Sequence, residues 1–520
     1  MNMPVFGLDT SANACNAREH GLLGNGRAND QPALAALVER LGQEVARDGR
    51  PRVIYCPPGD YLIADATTIW KSGVSLVGAG AGTTRFLLAN PGNGGKAVAL
   101  ARFNEQLDGA NIKNHLADCS FMNFEVDGSR VQLAKYDTHA KALDLQYMVR
   151  AMFRDLYIHG CAATGLGCDH LQDGTILGVI AERCGRQNGG TEPGGAGIGI
   201  GIGGWGGIER LDIIDCICTG NARHGIFVEL QQGKPARPRG IKILGTHCVD
   251  NRYGISDWGA DGLVVVSCIL CDNHLVGFDV SSEGTSGVPG VAGLLADCVL
   301  DGNGCDGVSI GNTSGPYTVR GNRISQNGRF GYYQHNIKDD PTAMRELALE
   351  GNEIWMNALD GVRLGAPTLD ASIVHNRIRN NGRRIEGAAS RGGEGVTYSD
   401  ISIRDSQARW RPDGHKGKTV LVAGQSAHVA TNTEQELRLF PFRPGASSAW
   451  TKGVPEDGTL YLIKDEAPPA GAGVGVAAPT TNAWIRGNRI WDNQERPTQT
   501  REVYVADDAQ CRHCRIEDNS

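Results

Sequence analysis

Glycine fills 72 of 520 positions, about twice the usual share of roughly 7%, while aromatic residues make up 6% and charged residues 21%. That balance argues against a helical bundle or an ordinary α/β enzyme, and 40% apolar residues is too much core-forming material for a disordered chain. A net charge of −7 excludes the basic surface that phosphate neutralisation requires, so nucleic acid is not an expected partner.

The first segment, Met1 to Cys15, has no basic stretch followed by an apolar one, so no secretory leader is read there. No run of eighteen apolar residues occurs in the chain, and no membrane partner is expected. Residues 29 to 47 read as the clearest helix. Asn29 or Asp30 can cap it, Pro32 falls in the first turn, and Leu34, Leu37, Val38, Leu41 and Val45 form one apolar stripe. The division expected is an N-terminal segment with this capping helix (1–52), then coils (53–381), an insertion (382–480) and terminal coils (481–520).

The coils are read from a repeat. Asn221, Asn251, Asn273, Asn303, Asn327, Asn357 and Asn381 are separated by 30, 22, 30, 24, 30 and 24 residues. Five positions before most of them stands Cys216, Cys268, Cys298, Asn322, Asn352 or Asn376. Glycine and alternating apolar residues follow, as in Gly225-Ile226-Phe227-Val228. Period-two alternation marks strands, and repeats this short cannot bury their own apolar faces, so they must stack. The expectation is an all-β right-handed parallel β-helix whose inward asparagines hydrogen-bond from coil to coil. Near the end the register is expected to return as Asn488/Asn493 and Cys514/Asn519. Cys216, Cys268, Cys298 and Cys514 then read as small buried fillers, and the fifteen cysteines as reduced thiols. Residues 382 to 480 break the register and are expected to form a small β-subdomain on the barrel, with strand-like pieces such as Thr419–Val422.

Gly24 to Asp30, the helix, Val53 to Tyr61 and Gly73 to Gly78 together resemble the N-terminal signature of the pectate-lyase-like β-helix superfamily. A second, more local resemblance is to the catalytic modules of mannuronan C5-epimerases and alginate lyases. It rests on Val126 to Arg130, Gly165 to His170 and the Asn221-Ala222-Arg223-His224-Gly225 turn. It implies Asp169 and His170 as the catalytic pair, Arg223 and His224 at the substrate, and Lys141 as a groove lysine.

The residue types suit that chemistry. Removing the C5 proton of a uronic acid requires neutralising its carboxylate, which Arg223, Lys141 or a protonated Asp169 can do. An imidazole, His170 or His224, can exchange protons near neutral pH, with a tyrosine such as Tyr136 or Tyr253 as partner. His139 belongs with Tyr136 and Lys141 on the substrate side. The function expected is a lyase or C5-epimerase of an acidic polysaccharide, working outside the cell or at its surface. No metal ligands are assigned, and calcium stays open as a cofactor. Glu229, Asp257 and Asp279 support an alternative, a glycoside hydrolase or tailspike-like depolymerase, trimeric in the latter case. A non-catalytic glycan-binding adhesin is the third reading.

Overall fold

A computed structural model describes residues 14–519, apart from 91–96, 104–109, 134–135, 187–194, 232, 234–235, 282–289, 338–341, 383–389, 392, 443–445, 465–470, 495–496 and 508. The chain winds into a right-handed parallel β-helix. Each regular coil contributes three strands, for example Ile208–Ile214, Ile217–Thr219 and His224–Leu230. The first two join a 27-stranded sheet that wraps two faces, and the third joins a 14-stranded sheet that forms the remaining face. Successive coils pair in parallel, as in Ile226 beside Ile255 and Ile255 beside Phe278, so equivalent residues stand about 4.8 Å apart.

The corners explain the repeat. In every coil from 215 to 381, a single residue with left-handed backbone precedes each ladder position: Asp215, Gly245, Ser267, Asp297, Gly321, Gly351 and His375 at one corner. Gly220, Asp250, Asp272, Gly302, Gln326, Met356 and Asn380 do the same at the other. That conformation costs most residues steric energy, which is why Gly, Asp and Asn dominate there. The next side chain then points inward.

At the second corner the inward residues form a continuous ladder. The Asn221 amide donates to Asn251 Oδ1 at 2.9 Å, and the same bond recurs from Asn273 to Asn303 (2.9 Å), Asn303 to Asn327 (2.9 Å), Asn327 to Asn357 (2.8 Å) and Asn357 to Asn381 (2.9 Å). Each carboxamide oxygen also accepts the backbone N–H of the preceding coil's asparagine, as Asn303 does from Asn273 at 3.1 Å. These buried amides are therefore satisfied without water. The other corner carries a second ladder, in which Asn322, Asn352, Asn376 and Asn488 follow Cys216, Thr246, Cys268 and Cys298. All the cysteines are free thiols.

Two register expectations are corrected. Asn493 leaves the first ladder and accepts from Asn380 at 2.9 Å, while Gln499, with its longer side chain, takes the amide of Asn381 at 2.8 Å. Asn519 pairs with Asn488 in the second ladder, at 3.0 Å, because Trp484 pairs with Arg515 in the adjoining strands. Cys514 thus stands one position before its strand and outside both ladders.

Helix α1, Gln31–Asp48, closes the N-terminal end, burying Leu34, Leu37, Val38 and Leu41 on the first coils. Capping is split between the two candidate residues. Asn29 Oδ1 accepts the Gln31 N–H at 3.1 Å, whereas the Asp30 carboxylate turns back to the N–H groups of Leu23 and Gly24. The inserted segment makes a 7-stranded antiparallel sheet with its own core around Ile403, Val429, Leu437 and Trp450. It packs back on the coils through Phe440 and Ala430 against Leu275 and Val276. Lys416 adds an ion pair with Asp250 at 3.2 Å. Among the described residues, no helix is long and apolar enough to cross a membrane.

Candidate active site

The 14-stranded face carries a groove of about 540 Å³. Its floor is built by four successive strands, β1 (Leu143–Val149), β2 (Leu166–Gln172), β3 (Ile198–Ile202) and β4 (His224–Leu230). Alternation turns Leu143, Leu166, Ile198 and Ile226 inward, which leaves two outward rows. The first runs Asp144, Gly167, Gly199, Phe227, and the second runs Gln146, Asp169, Gly201, Glu229.

Glycine at the middle of both rows is a packing requirement. A Cβ on Gly167 would collide with the Lys141 side chain, and one on Gly201 would collide with the Asp169 carboxylate. The charged groups therefore lie flat over bare backbone, and a ligand can approach the sheet closely.

Asp144 anchors the charges. It is fully buried and takes Arg102 Nε on Oδ2 at 2.9 Å, His139 Nδ1 on Oδ2 at 3.1 Å and Lys141 Nζ on Oδ1 at 3.0 Å. Burial alone would raise its carboxyl, but Lys141, His139 and Arg102 outweigh that and hold it below the usual range. Burial likewise works to lower the Lys141 ammonium, and the negative charges of Asp169 and Asp144 hold it raised. Lys141 is thus a fixed cation at neutral pH. Asp169 sits on the next coil, its Oδ1 accepting the Gly201 N–H at 2.9 Å and its Oδ2 the Gln146 amide at 3.5 Å.

The other end of the groove is aromatic. Arg223 lies 5.1 Å over the Trp258 ring. The His224 ring stacks on Phe227 at 4.3 Å and faces Tyr253 at 5.2 Å. Burial first, then the charges of Arg223 and Arg252, push the His224 imidazole well below the ordinary histidine range. It remains neutral, and its buried Nε2 has no hydrogen-bond partner among the described residues.

The groove brings together Tyr136, His139, Lys141, Asp169, Arg223, His224 and Glu229. It leaves out four expected residues. His170 takes a left-handed backbone (φ 61°), and its ring turns down onto Gly204, where Nδ1 accepts the Gly204 N–H at 3.1 Å. Only 4% exposed, it props the Gly203–Gly207 loop instead of lining the groove. Asp257 points inward, because it pairs with Val228 of the preceding coil and Val280 of the next. Burial raises its carboxyl to about 7. Asp279 faces outward two coils beyond the groove floor, where its Oδ2 accepts from Trp258 Nε1 at 3.2 Å and Ser281 Oγ at 2.9 Å. Tyr253 lies behind His224.

Three residues that sequence reasoning missed complete the arrangement. Asp144 was legible only as the acid three residues after Lys141, within Leu143-Asp144-Leu145. Trp258 stood next to a residue that drew attention for its charge. Glu209 sits at an inward position beneath the glycine loop, with Oε1 accepting the N–H groups of Gly203 and Trp205, each at 2.9 Å. Its Oε2 is buried without a partner among the described residues, and burial raises the carboxyl to about 7. Among the described residues, no group of three or more His, Cys, Asp or Glu side chains gathers as metal ligands.

The profile of the family described as rhamnogalacturonase A/epimerase, pectate lyase-like, matches residues 14–232, which include the whole groove floor. That match bears out, over the N-terminal coils, the resemblance to the pectate-lyase-like superfamily read from the N-terminal signature. A profile described as periplasmic copper-binding protein (NosD) matches residues 220–396, which include the regular ladder coils. Among solved structures, the A-module of the Azotobacter vinelandii mannuronan C-5 epimerase AlgE4 superposes with a TM-score of 0.53 at 12% identity, covering 96% of this chain and 99% of that one. The AlgE6 A-module of the same organism gives 0.49 at 16% identity, covering 71% and 93%. The surface adhesin PfbA of Streptococcus pneumoniae gives 0.44 at 10% identity, covering 71% and 91%. No curated protein matches the chain by sequence.

Proposed function

We propose that the protein is a polysaccharide-active enzyme that abstracts the C5 proton of a uronic acid residue, with an acidic polysaccharide as substrate. One observation carries the reading: a permanently charged Lys141, ion-paired with Asp144 and held charged also by the nearby Asp169, stands over a glycine floor in one groove with Arg223 and an oriented imidazole. Lys141 and Arg223 neutralise the sugar carboxylate, which is what makes the neighbouring C–H acidic and stabilises the enediolate-like intermediate. Asp144 receives His139 Nδ1 and so leaves Nε2 as the basic nitrogen. In this assignment His139 Nε2 removes the C5 proton.

Return of a proton from the other side, by Tyr136, completes an epimerisation; departure of the 4-O group instead completes a β-elimination. Asp169 holds Lys141 in place and meets the sugar's hydroxyls. The fold shared with the epimerase module supports a groove-bound polymer, and such a substrate puts the site of action outside the cytoplasm.

Incubation with polymannuronate, polyguluronate and polygalacturonate in deuterium oxide tests the step itself. Deuterium at C5, or unsaturated ends absorbing in the ultraviolet, is expected from the wild type and not from His139→Ala. Polymers recovered with every C5–H intact would remove the proposal.

A second reading has one observation in its favour. Asp169 and Glu229 flank Gly201 on the same outward row, two coils apart, a separation of about 9.6 Å that approaches the range for inverting glycosidases. New reducing ends without unsaturation would select it.

A further inference from the structure

We infer that the C-terminal coils carry a second, non-catalytic surface that binds anionic polysaccharide through stacked arginine and tryptophan side chains. The surface lies on a different face from the groove, on the short strands Arg323–Ser325, Glu353–Trp355, Arg377–Arg379 and Arg489–Trp491. In each, the middle isoleucine is buried in the core, so both flanking side chains point outward. Parallel pairing lines them up in two columns: Arg323, Glu353, Arg377, Arg489 in one, and Ser325, Trp355, Arg379, Trp491 in the other.

The arginines interleave with the indoles. Trp355 has Arg323 5.4 Å from its ring centre and Arg379 at 5.2 Å. Arg379 also reaches the Trp491 ring at 6.0 Å, and Arg489 lies 4.8 Å over it. Around the next corner, Trp484 is 42% exposed, with Arg486 at 5.4 Å and Arg515 at 5.6 Å.

What distinguishes these guanidinium groups is their lack of acids. Arg377 is taken by Glu353 at 2.5 Å. Among the described residues, Arg323, Arg379 and Arg489 form no ion pair, although the chain as a whole carries a charge of −7. Stacking on an indole fixes a guanidinium plane without using its N–H donors. Those donors remain along the edge, in the fork geometry that matches a carboxylate. A ligand that satisfies them must carry repeated carboxylates and offer apolar C–H faces to the exposed indole. A polyuronate has both. The inference rests on the proposed function for the polymer class alone and needs no turnover.

The test measures binding of long polymannuronate and polygalacturonate by isothermal titration, with single-stranded DNA as a comparison polyanion. The triple variant Arg323→Gln/Arg379→Gln/Arg489→Gln is expected to lose about tenfold in polymer affinity, while melting as the wild type does and keeping its kcat on short oligosaccharides. Trp484→Ala, a single exposed change, is expected to weaken polymer binding in the same direction. The triple arginine-to-lysine variant keeps the charge but loses the planar fork, and is expected to restore only part of the affinity.

Wild-type affinity in the glutamine variant, or DNA binding with no polyuronate binding, would overturn the inference. Lys141→Met separates the two proposals, since it removes turnover and leaves most polymer affinity. A protein that holds polyuronate through these arginines yet turns none over would overturn the catalytic reading and leave this surface standing.

Discussion

The coils that build the groove and the coils that follow them use one backbone plan with opposite side-chain choices. Between 276 and 381 the corners hold asparagine after asparagine, each hydrogen-bonded to the next, and the coil lengths alternate regularly. In the groove coils the same ladder positions are Cys161 and Cys184, and only the backbone N–H of Cys184 reaches the first asparagine, Asn221, at 3.0 Å. Outward positions differ in the same way: glycine and charged residues on β2 and β3, Asp279, Ser309 and Tyr333 further along. The ladder concentrates rigidity in one half of the solenoid. The other half relinquishes some of that regularity and accommodates buried charges and left-handed residues inside its strands, such as Tyr147 and His170.

That contrast can be broken most forcefully from the groove side. His139→Ala is expected to lower kcat/KM by about 10²–10⁴-fold, the usual contribution of a positioned base, with a melting temperature close to wild type because the ring is half exposed. Activity within threefold of wild type would move the base elsewhere. On the ladder side, Asn303→Ala should cost about 2–4 kcal/mol by denaturant unfolding, because it takes the acceptor away from both the side-chain amide and the backbone N–H of Asn273 in a dry interior. The equivalent Cys184→Ala should cost clearly less, since a thiol forms only weak hydrogen bonds. Equal costs would mean that asparagine and cysteine rungs are interchangeable.

Glu209→Gln sharpens the comparison through pH. Burial raises the Glu209 carboxyl to about 7 in the folded state, so the folded protein binds this proton more tightly than the unfolded chain. Stability from this group is complete below its unfolded value and falls as pH rises through about 7. The loss reaches up to about 3 kcal/mol by pH 8. Glutamine keeps the acceptor for Gly203 and Trp205 without the charge, so the variant should melt higher than wild type at pH 8 and about equally at pH 4. A pH-independent difference would remove the buried carboxylate as the cause. The smallest effect belongs to Gly201→Ala, whose new methyl must displace Asp169. About tenfold lower activity is expected, with little change in unfolding midpoint.

How far the sequence foretold this depends on what each signal reports. The spacing of Asn221 through Asn381 is a direct record of coil length, so the solenoid, its inward amides and the insertion were all readable. The helix stripe was readable for the same reason. Register slips appeared where length changed locally: the loop ending at Gln499 places a longer amide where Asn493 was expected.

Site residues followed the same logic. Tyr136, His139, Lys141, Asp169, Arg223, His224 and Glu229 lie in the groove because they flank strands at equivalent positions of neighbouring coils. His170 was misplaced because one left-handed residue rotates a side chain off its face, and alternation alone cannot reveal that. Asp257 falls outside the groove because its strand register sets it opposite the inward Val228 and Val280. Asp144 and Glu209 escaped notice because a lone carboxylate inside an apolar strand carries no local pattern; their meaning comes from partners a full coil away.

The ladder has a last consequence at the insertion. Asn376 bonds Asn488 at 2.9 Å although the two are 112 positions apart in sequence, and Val362 pairs directly with Val474. The solenoid closes across the gap as if the intervening subdomain were absent, so both ends of the detour leave from neighbouring rungs. The junction behaves as a socket: a different module with closely spaced termini could be exchanged there without disturbing a single rung, and the coils at Leu275 and Val276 would then meet a new neighbour.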